Sequence, residues 1–553
     1  MKAKSFLLTV LATALFTGCT SEDGKDTDYP DRSLIGKAFL SLSLQSNTGP
    51  STRADASIDE KPGSEDESKA ADVRVLLFDN NDRCLGIKAV TNAQIGNSGG
   101  NSNPTATASD AIAVPADTKK VFVVINPFTD GWDFTEEVVK GKTWNEINTA
   151  IDATIDKVTI AKKFMMASAG YTRGTDKSVT AIGALTGVTV HKPADYTDAE
   201  INKAKEEAKK APAEVYVDRL TCKVTVSLKT GGVTKPANTE FEFKGWKLSV
   251  TNKSTRLYSD LVTYPNNTKG AVYRKDKNYQ VSEQPDKSKT EALRAAFDYL
   301  ENIDKESDNM PAVDNISGAN AYCLENTMEA VAQQLGFTTK VVVKADYTPN
   351  GISSKGNYFS WAGKYYTLDG LKTTYANTTG TGGLKTDLPI FLYKAGVITK
   401  EVFEGNQDAK DNAVAGLSES SFNEKTGIIG RFCAVRYYHA SVCYYDILIR
   451  HDKNITQKMA LGRWGVVRNN WYAIEIQNVT GPGTPWIPDP SDPGPTPTDP
   501  SPDPGPGPKP GPDPDDPYNP TPPDIDDDDN DVYLSVKITI NPWTYWTQEA
   551  ELH

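Results

Sequence analysis

The chain has 553 residues and a formal net charge of −13, with 24 Tyr and 9 Trp among 38% hydrophobic residues. At about 150 residues per domain it is long enough to bury several cores. Residues 482–531 hold 19 of the 34 prolines and 13 Asp against one Lys, so this segment accounts for −12 of the −13. Outside it the chain is nearly neutral and has no basic stripe of the kind a nucleic-acid partner requires.

Residues 1–18 read as a signal peptide. Lys2 and Lys4 precede an apolar run too short to cross a bilayer, and the small Thr17 and Gly18 lead into Cys19. A Cys in that position resembles the lipid-accepting residue of bacterial lipoproteins, and the acidic Thr20–Asp23 stretch after it resembles a surface-export signal. Five further cysteines, Cys84, Cys222, Cys323, Cys433 and Cys443, are an odd set at wide spacing, which is not a disulfide framework. Cys433 and Cys443 could bridge a hairpin, but RYYHAS between them carries no Gly, Asn or Pro turn residue.

Next in the chain, Ala38, Leu40, Leu42 and Leu44 alternate with Phe39, Ser41 and Ser43, which predicts a strand with one largely apolar face. The polar stretch SNTGPSTR at 46–53 follows and ends in Arg53, as an exposed, cleavable loop would. From about 70 to 480 the sequence is dominated by short β-branched and aromatic runs broken by Gly, Asn, Asp and Pro, the pattern of antiparallel sandwiches. Thr143 with Glu146, and Ser288 with Glu291, have capping-box spacing and predict short helices that dock Ile147 and Ile151, and Phe297 and Leu300, onto a sheet. A third helix near 198–210 is almost wholly polar and reads as a solvated excursion. KTGGVTKPA at 229–237 is the best boundary between two β-rich units.

Residues 482–531 form a polyproline-like tether that could reach on the order of 150 Å. Beyond it Val532, Leu534, Val536, Ile538 and Ile540 alternate with polar neighbours in the cleanest strand pattern of the chain, with no hairpin partner beside it. A lone amphipathic strand is an aggregation hazard unless a groove is waiting for it. Cutting after Arg53 would free the N-terminal strand and leave such a slot. The C-terminal strand of a neighbouring copy has the alternation to fill it, and head-to-tail addition of this kind builds an open filament.

These stretches resemble the fimbrillins of Bacteroidetes, most closely the shaft subunit of minor-type fimbriae. The resemblance rests on the signal ending at Cys19, KAFLSLSL at 37–44 before Arg53 and Ala54, and FMMASAG at 164–170. VVRNNWYAIEI at 466–476, the Pro/Asp tether and VYLSVKITINPW at 532–543 complete it. It implies an all-β fold with minor α content: two transthyretin-like antiparallel sandwiches at 54–230 and 236–480, a pro-segment at 19–53, a linker at 482–531 and a donor strand at 532–553. It implies further a palmitate-bearing lipoprotein precursor attached at Cys19 to the outer membrane, and removal of the pro-segment between Arg53 and Ala54 by an arginine-specific surface protease. The expected partners are further copies of the chain, anchor and tip subunits, and host ligands. Insertions around 97–110 and 195–212 find no counterpart.

Of the four histidines, His191, His439, His451 and His553, none forms a metal-ligand pair. Gly141–Thr143 lacks the upstream Gly of a phosphate loop and reads as a helix cap, and Asp526–Asp529 read as a solvated spacer. No catalytic or metal residues and no cofactor are expected. The alternative function is a monomeric surface lipoprotein binding glycan or host protein through aromatics near Trp361, Tyr437 and Tyr438, with 532–543 completing its own sheet, or else a fimbrial anchor or tip subunit.

Overall fold

A computed structural model of the chain describes residues 32–46, 61–97, 108–127, 135–173, 179–262, 272–279, 295–301, 310–333, 336–380, 382–431, 433–452, 455–487 and 534–544. The signal peptide, Cys19, Arg53, Ala54, the capping pair Ser288 and Glu291, most of the tether and Val532 lie outside these residues. Strand predominates over helix, as the all-β reading requires.

The first sheet runs in the order Cys84–Ala89, Val73–Phe78, Lys120–Ile125, Met166–Ser168, Ala213–Arg219, Leu42–Ser46, Ile95–Asn97. It is antiparallel as far as Ala213–Arg219, and Leu42–Ser46 then runs parallel to both of its neighbours. Because strand side chains alternate between faces, Val73, Val75 and Leu77 join Leu42, Leu44, Val121, Val123, Val215 and Val217 in one core. Leu76, Phe78, Phe122 and Val124 face the opposite way, onto short helices that supply Val139, Ile147 and Val158, with Ile151 packing from the chain just past the end of one of them. Covering both faces explains the nearly unbroken apolar runs VRVLLF and KVFVVI. One of those helices, Trp144–Thr149, begins as its sequence predicts: Glu146 N donates to Thr143 Oγ1 at 3.3 Å and Thr143 N to Glu146 Oε2 at 2.7 Å.

A second pair of sheets packs face to face. One has the order Asn320–Leu324, Thr221–Leu228, Asn470–Val479, Leu534–Thr544, Lys61–Pro62, and the other Glu240–Ser249, Lys340–Thr348, Val442–Leu448. Val224, Val226, Tyr472, Ile474 and Ile476 from the first meet Trp246, Val341, Val343, Tyr445 and Ile447 from the second.

Four features depart from the sequence reading. The run 214–228 divides at Leu220, sending Ala213–Arg219 to the first sheet and Thr221–Leu228 to the sandwich, while 229–237 only joins the two sheets of that sandwich. Between Tyr358–Trp361 and Arg436–Tyr438 the chain forms a helical insert around Leu371, Leu388, Phe391 and Tyr437, with helices Leu368–Asn377, Leu384–Lys394 and Gln407–Ala415 among its elements. Residues 482–487, expected to begin the free tether, are packed down: a Cβ on Gly483 would sit 1.9 Å from Tyr444 O, and Ile487 is buried beside Val342. Phe297, expected on a helix, lies on the two-residue strand Phe297–Asp298.

Candidate functional site

The N-terminal segment is two strands, Lys37–Leu40 and Leu42–Ser46, broken at Ser41. Lys37–Leu40 pairs antiparallel with Ile112–Pro115, and on its other edge Phe39 bridges His191. Leu42–Ser46 lies between Ala213–Arg219 and Ile95–Asn97. The segment is therefore interior along its length, not an edge. Ser41 Oγ donates to Ser109 O at 2.7 Å, Leu42 N donates to Ser109 Oγ at 3.0 Å, and Ala213 N donates to Ser41 O at 2.8 Å.

Ala38, Leu40, Leu42 and Leu44 are fully buried, and so is the alternate face, with Phe39 at 1%, Ser41 at 1% and Ser43 at 5% exposure. The cover over Phe39 is helix Asp198–Lys210, which packs Ile201, Ala204 and Ala208 against the ring and holds Lys205 Nζ 5.5 Å from its centroid. This corrects the reading of that helix as a solvated excursion: its charges face outward, but a narrow apolar stripe faces the strand. Each buried Phe or Leu here contributes about 1.5–3 kcal/mol, so the segment is strongly held while it remains in place.

On the far side of the cleavage stretch the chain is anchored by Glu67. Lys223 Nζ lies 2.9 Å from Glu67 Oε1, the Tyr322 hydroxyl donates to the same oxygen at 2.5 Å, and Arg219 Nε donates to Glu67 O at 2.9 Å. Burial pushes the Glu67 carboxyl up, but the hydrogen bonds from Tyr322, Lys223 and Ser64 outweigh it and hold the carboxyl below its usual range. Behind this anchor lies a buried polar cluster that no local pattern of residues announces. Arg274 Nη2 donates to Asp218 Oδ2 at 2.8 Å, Asn469 Nδ2 to Asp218 Oδ1 at 3.1 Å, and Arg468 Nε to Glu325 Oε2 at 3.1 Å.

The C-terminal strand Leu534–Thr544 pairs antiparallel with Asn470–Val479, with Val536, Ile538 and Ile540 opposite Ile476, Ile474 and Tyr472. The strand that lacks a partner beside it in sequence thus has one far upstream in its own chain. Among the described residues its other edge is paired only at Trp543 and Thr544, with Lys61 and Pro62.

The remaining sequence candidates are structural. Tyr437 and Tyr438 are buried, and Trp361 Nε1 donates to Asp387 Oδ2 at 2.8 Å, so the aromatic binding surface of the alternative function does not form there. Cys84, Cys222, Cys323, Cys433 and Cys443 carry free, buried thiols, and the cysteine directly opposite Cys222 on the neighbouring strand is Cys323. His439 Nδ1 lies 3.1 Å from the Tyr437 hydroxyl.

Two family models match the chain: Major fimbrial subunit protein (FimA) over residues 38–219, and Major fimbrial subunit protein type IV, Fimbrillin, C-terminal over residues 436–549. The first ends where the chain leaves the first sheet, one residue before Leu220. No curated protein matches. Among solved structures, a fimbrilin (fimA) from Porphyromonas gingivalis W83 shares 14% identity, covering 93% of this chain and 100% of its own at a TM-score of 0.36. The tip fimbrial protein Mfa3 from Porphyromonas gingivalis, with C-terminal truncation, shares 10% over 80% of this chain and 95% of its own at 0.29. A fimbrial assembly protein from Parabacteroides distasonis shares 12% over 56% and 81% at 0.22. These structural likenesses are distant, and the assignment rests on the two sequence models. With a FimA region that starts on the N-terminal strand and a fimbrillin C-terminal region that takes in the last strand, the chain belongs to the fimbrillin family and is a fimbrial subunit.

Proposed function

We propose that the chain is a shaft subunit of a surface fimbria that polymerises by protease-triggered strand exchange. The precursor is a lipoprotein anchored through Cys19 to the outer membrane. An arginine-specific surface protease cuts between Arg53 and Ala54, the strand bearing Ala38, Leu40, Leu42 and Leu44 leaves, and the C-terminal strand of the next copy, with Val532, Leu534, Val536, Ile538 and Ile540, takes its place. Anchor and tip subunits would join the same polymer, and host ligands would be met at its surface.

The observation that carries this reading is the interior position of the N-terminal strand. It is hydrogen-bonded on both edges and buried on both faces, so its removal leaves a slot that only another alternating strand can satisfy. Among the described residues, the C-terminal strand in its own sheet is paired along one edge and, on the other, at two residues only. Moving into a vacated slot lets it pair along both, and each added ladder bond contributes about 1 kcal/mol net. While the pro-segment is covalently attached it competes at high effective concentration, and cleavage ends that advantage. Deleting residues 532–553 tests the mechanism: the truncated precursor should be processed but fail to polymerise, and polymer formed without those residues would refute it.

One observation favours a second reading. Because 534–544 completes the chain's own sheet, the protein could act as a monomeric surface lipoprotein. An intact lipidated N-terminus and a monomeric mass on the cell surface would select it.

A further inference from the structure

The slot held by residues 39–44 is not a uniform apolar groove, because its two faces make different demands. On one face Leu40, Leu42 and Leu44 sit in the main core. On the other, position 39 is an apolar pocket under helix Asp198–Lys210, position 41 holds a hydroxyl bonded to Ser109, and position 43 lies opposite the exposed Glu214 in the parallel ladder. The C-terminal sequence meets these demands in one alignment. Residues 39–44 read FLSLSL and residues 533–538 read YLSVKI. We propose that the incoming strand runs in the same direction as the one it replaces, with Tyr533 in the Phe39 pocket, Ser535 at Ser41 and Lys537 at Ser43. The pocket under the helix then fixes register by selecting an aromatic side chain. This inference rests on the strand-exchange reading above.

Each pairing has a physical reason. The pocket lined by Ile201, Ala204 and Ala208 is apolar, and Tyr533 is the one aromatic residue among the alternate-face positions 533, 535, 537, 539 and 541. Its hydroxyl adds a donor on the side of His191, the residue bridged to position 39, whose Nε2 is buried and has no hydrogen-bond partner among the described residues. Ser535 restores a hydroxyl beside Ser109, itself buried at 1% exposure. Lys537 comes to lie opposite Glu214, whose side chain is exposed, so that a long stem can carry the ammonium out to that carboxylate. The reversed strand, kept in register at the shared serine, would place Lys537 in the Phe39 pocket and bury an unpaired charge.

Intersubunit cross-linking tests this in the full-length chain, activated by an arginine-specific protease. A Lys537→Cys copy is mixed with a Glu214→Cys copy and treated with a short thiol-specific cross-linker. The proposed register predicts a covalent dimer from this pair, and little from Ser535→Cys or Tyr533→Cys with the same Glu214→Cys. Cross-linking of Ser535→Cys or Tyr533→Cys in preference would overturn the register while leaving strand exchange standing. Polymer that forms without residues 532–553 would overturn both. Independently, Tyr533→Ala should slow assembly by about tenfold or more, whereas Tyr533→Phe should keep most of the rate. Equal rates for Tyr533→Ala and the parent would refute the aromatic pocket.

Discussion

Phe39 and His191 face each other across two backbone hydrogen bonds, Phe39 N to His191 O at 2.8 Å and His191 N to Phe39 O at 2.9 Å. This bridge closes the second edge of the N-terminal strand, and the chain beyond it leads into helix Asp198–Lys210, which covers the Phe39 ring. The strand is thus secured by backbone pairing and by a helix whose composition gives little hint of it.

If that helix secures the first half of the strand, Ile201→Ala should loosen that half specifically. The buried side chain is lost at a cost toward the lower end of about 2–5 kcal/mol, because the site lies near the surface. Hydrogen exchange should accelerate at Ala38–Leu40 more than at Leu42–Ser46, whose neighbours are strands on both sides. Lys203→Ala, on the solvent face of the same helix, is the control and should change neither.

Glu67 ties the chain beyond the cleavage stretch to the sandwich. Glu67→Ala leaves the Lys223 ammonium buried beside the Trp471 ring, 4.2 Å from its centroid, with its carboxylate gone. Removing one partner of a buried pair costs about 3–5 kcal/mol. Denaturant unfolding should register that loss, and the double variant Glu67→Ala, Lys223→Met should recover part of it by removing that buried charge.

Two buried groups give opposing pH dependences. Burial pushes the Asp276 carboxyl up to about 7, against hydrogen bonds from Thr327 N and Asn252 Nδ2, and pushes His451 down from 6.5 to about 4. His451 is held neutral, with Nε2 donating to Val272 O at 3.2 Å and Nδ1 accepting from the Tyr472 hydroxyl at 2.8 Å. Asp276, with its folded value raised, contributes stability at acid pH that is lost as pH rises toward 7. His451, with its folded value lowered, costs stability as pH falls from 6.5 toward 4, because the unfolded chain takes a proton the folded one refuses. At about 1.4 kcal/mol per unit the two slopes largely cancel in that window. Relative to the parent, His451→Gln should therefore lose stability as pH rises from about 4.5 to about 6.5, and Asp276→Asn should gain it. Urea midpoints across that range check both signs.

Val536→Asp addresses the C-terminal strand. In its own sheet this strand lies near a rim, whereas the slot it is proposed to enter is closed on both faces, where an unpaired carboxylate is costly. The variant precursor should keep its circular dichroism and be cleaved normally, yet yield no ladder of polymers on a gel run without boiling. Wild-type ladders from this variant would contradict strand insertion.

The two terminal strands were legible because their alternation is long and clean, and Thr143 was legible as a cap because its box has a fixed spacing. Helix 198–210 did carry a signal, apolar or small residues at 201, 204 and 208, but three such positions among so many charges were outweighed by overall polarity. The helices of 368–429 start at caps such as Thr367 and Asn406, which accept from Gly370 N and Ala409 N, yet Pro389 inside one of them argues locally against a helix. Nothing in the uniform run 214–228 marks Leu220 as a change of sheet, since both halves alternate alike and only distant partners separate them. The burial of Arg274 and Arg468 was illegible for the same reason: sequence shows a charge but not the carboxylates, Asp218 and Glu325, that reach it from far along the chain. Both unmatched insertions turn out to touch the N-terminal strand, one through Ser109 and the other through Ile201, so local pattern could show the strand but not what holds it.

The most direct test of strand exchange is N-terminal sequencing of subunits sheared from cells, combined with a denaturing gel run over a range of temperatures. Subunits that begin at Ala54 and form a ladder collapsing to monomer only on boiling are the predicted result. A single monomer band still lipidated at Cys19 would contradict the account.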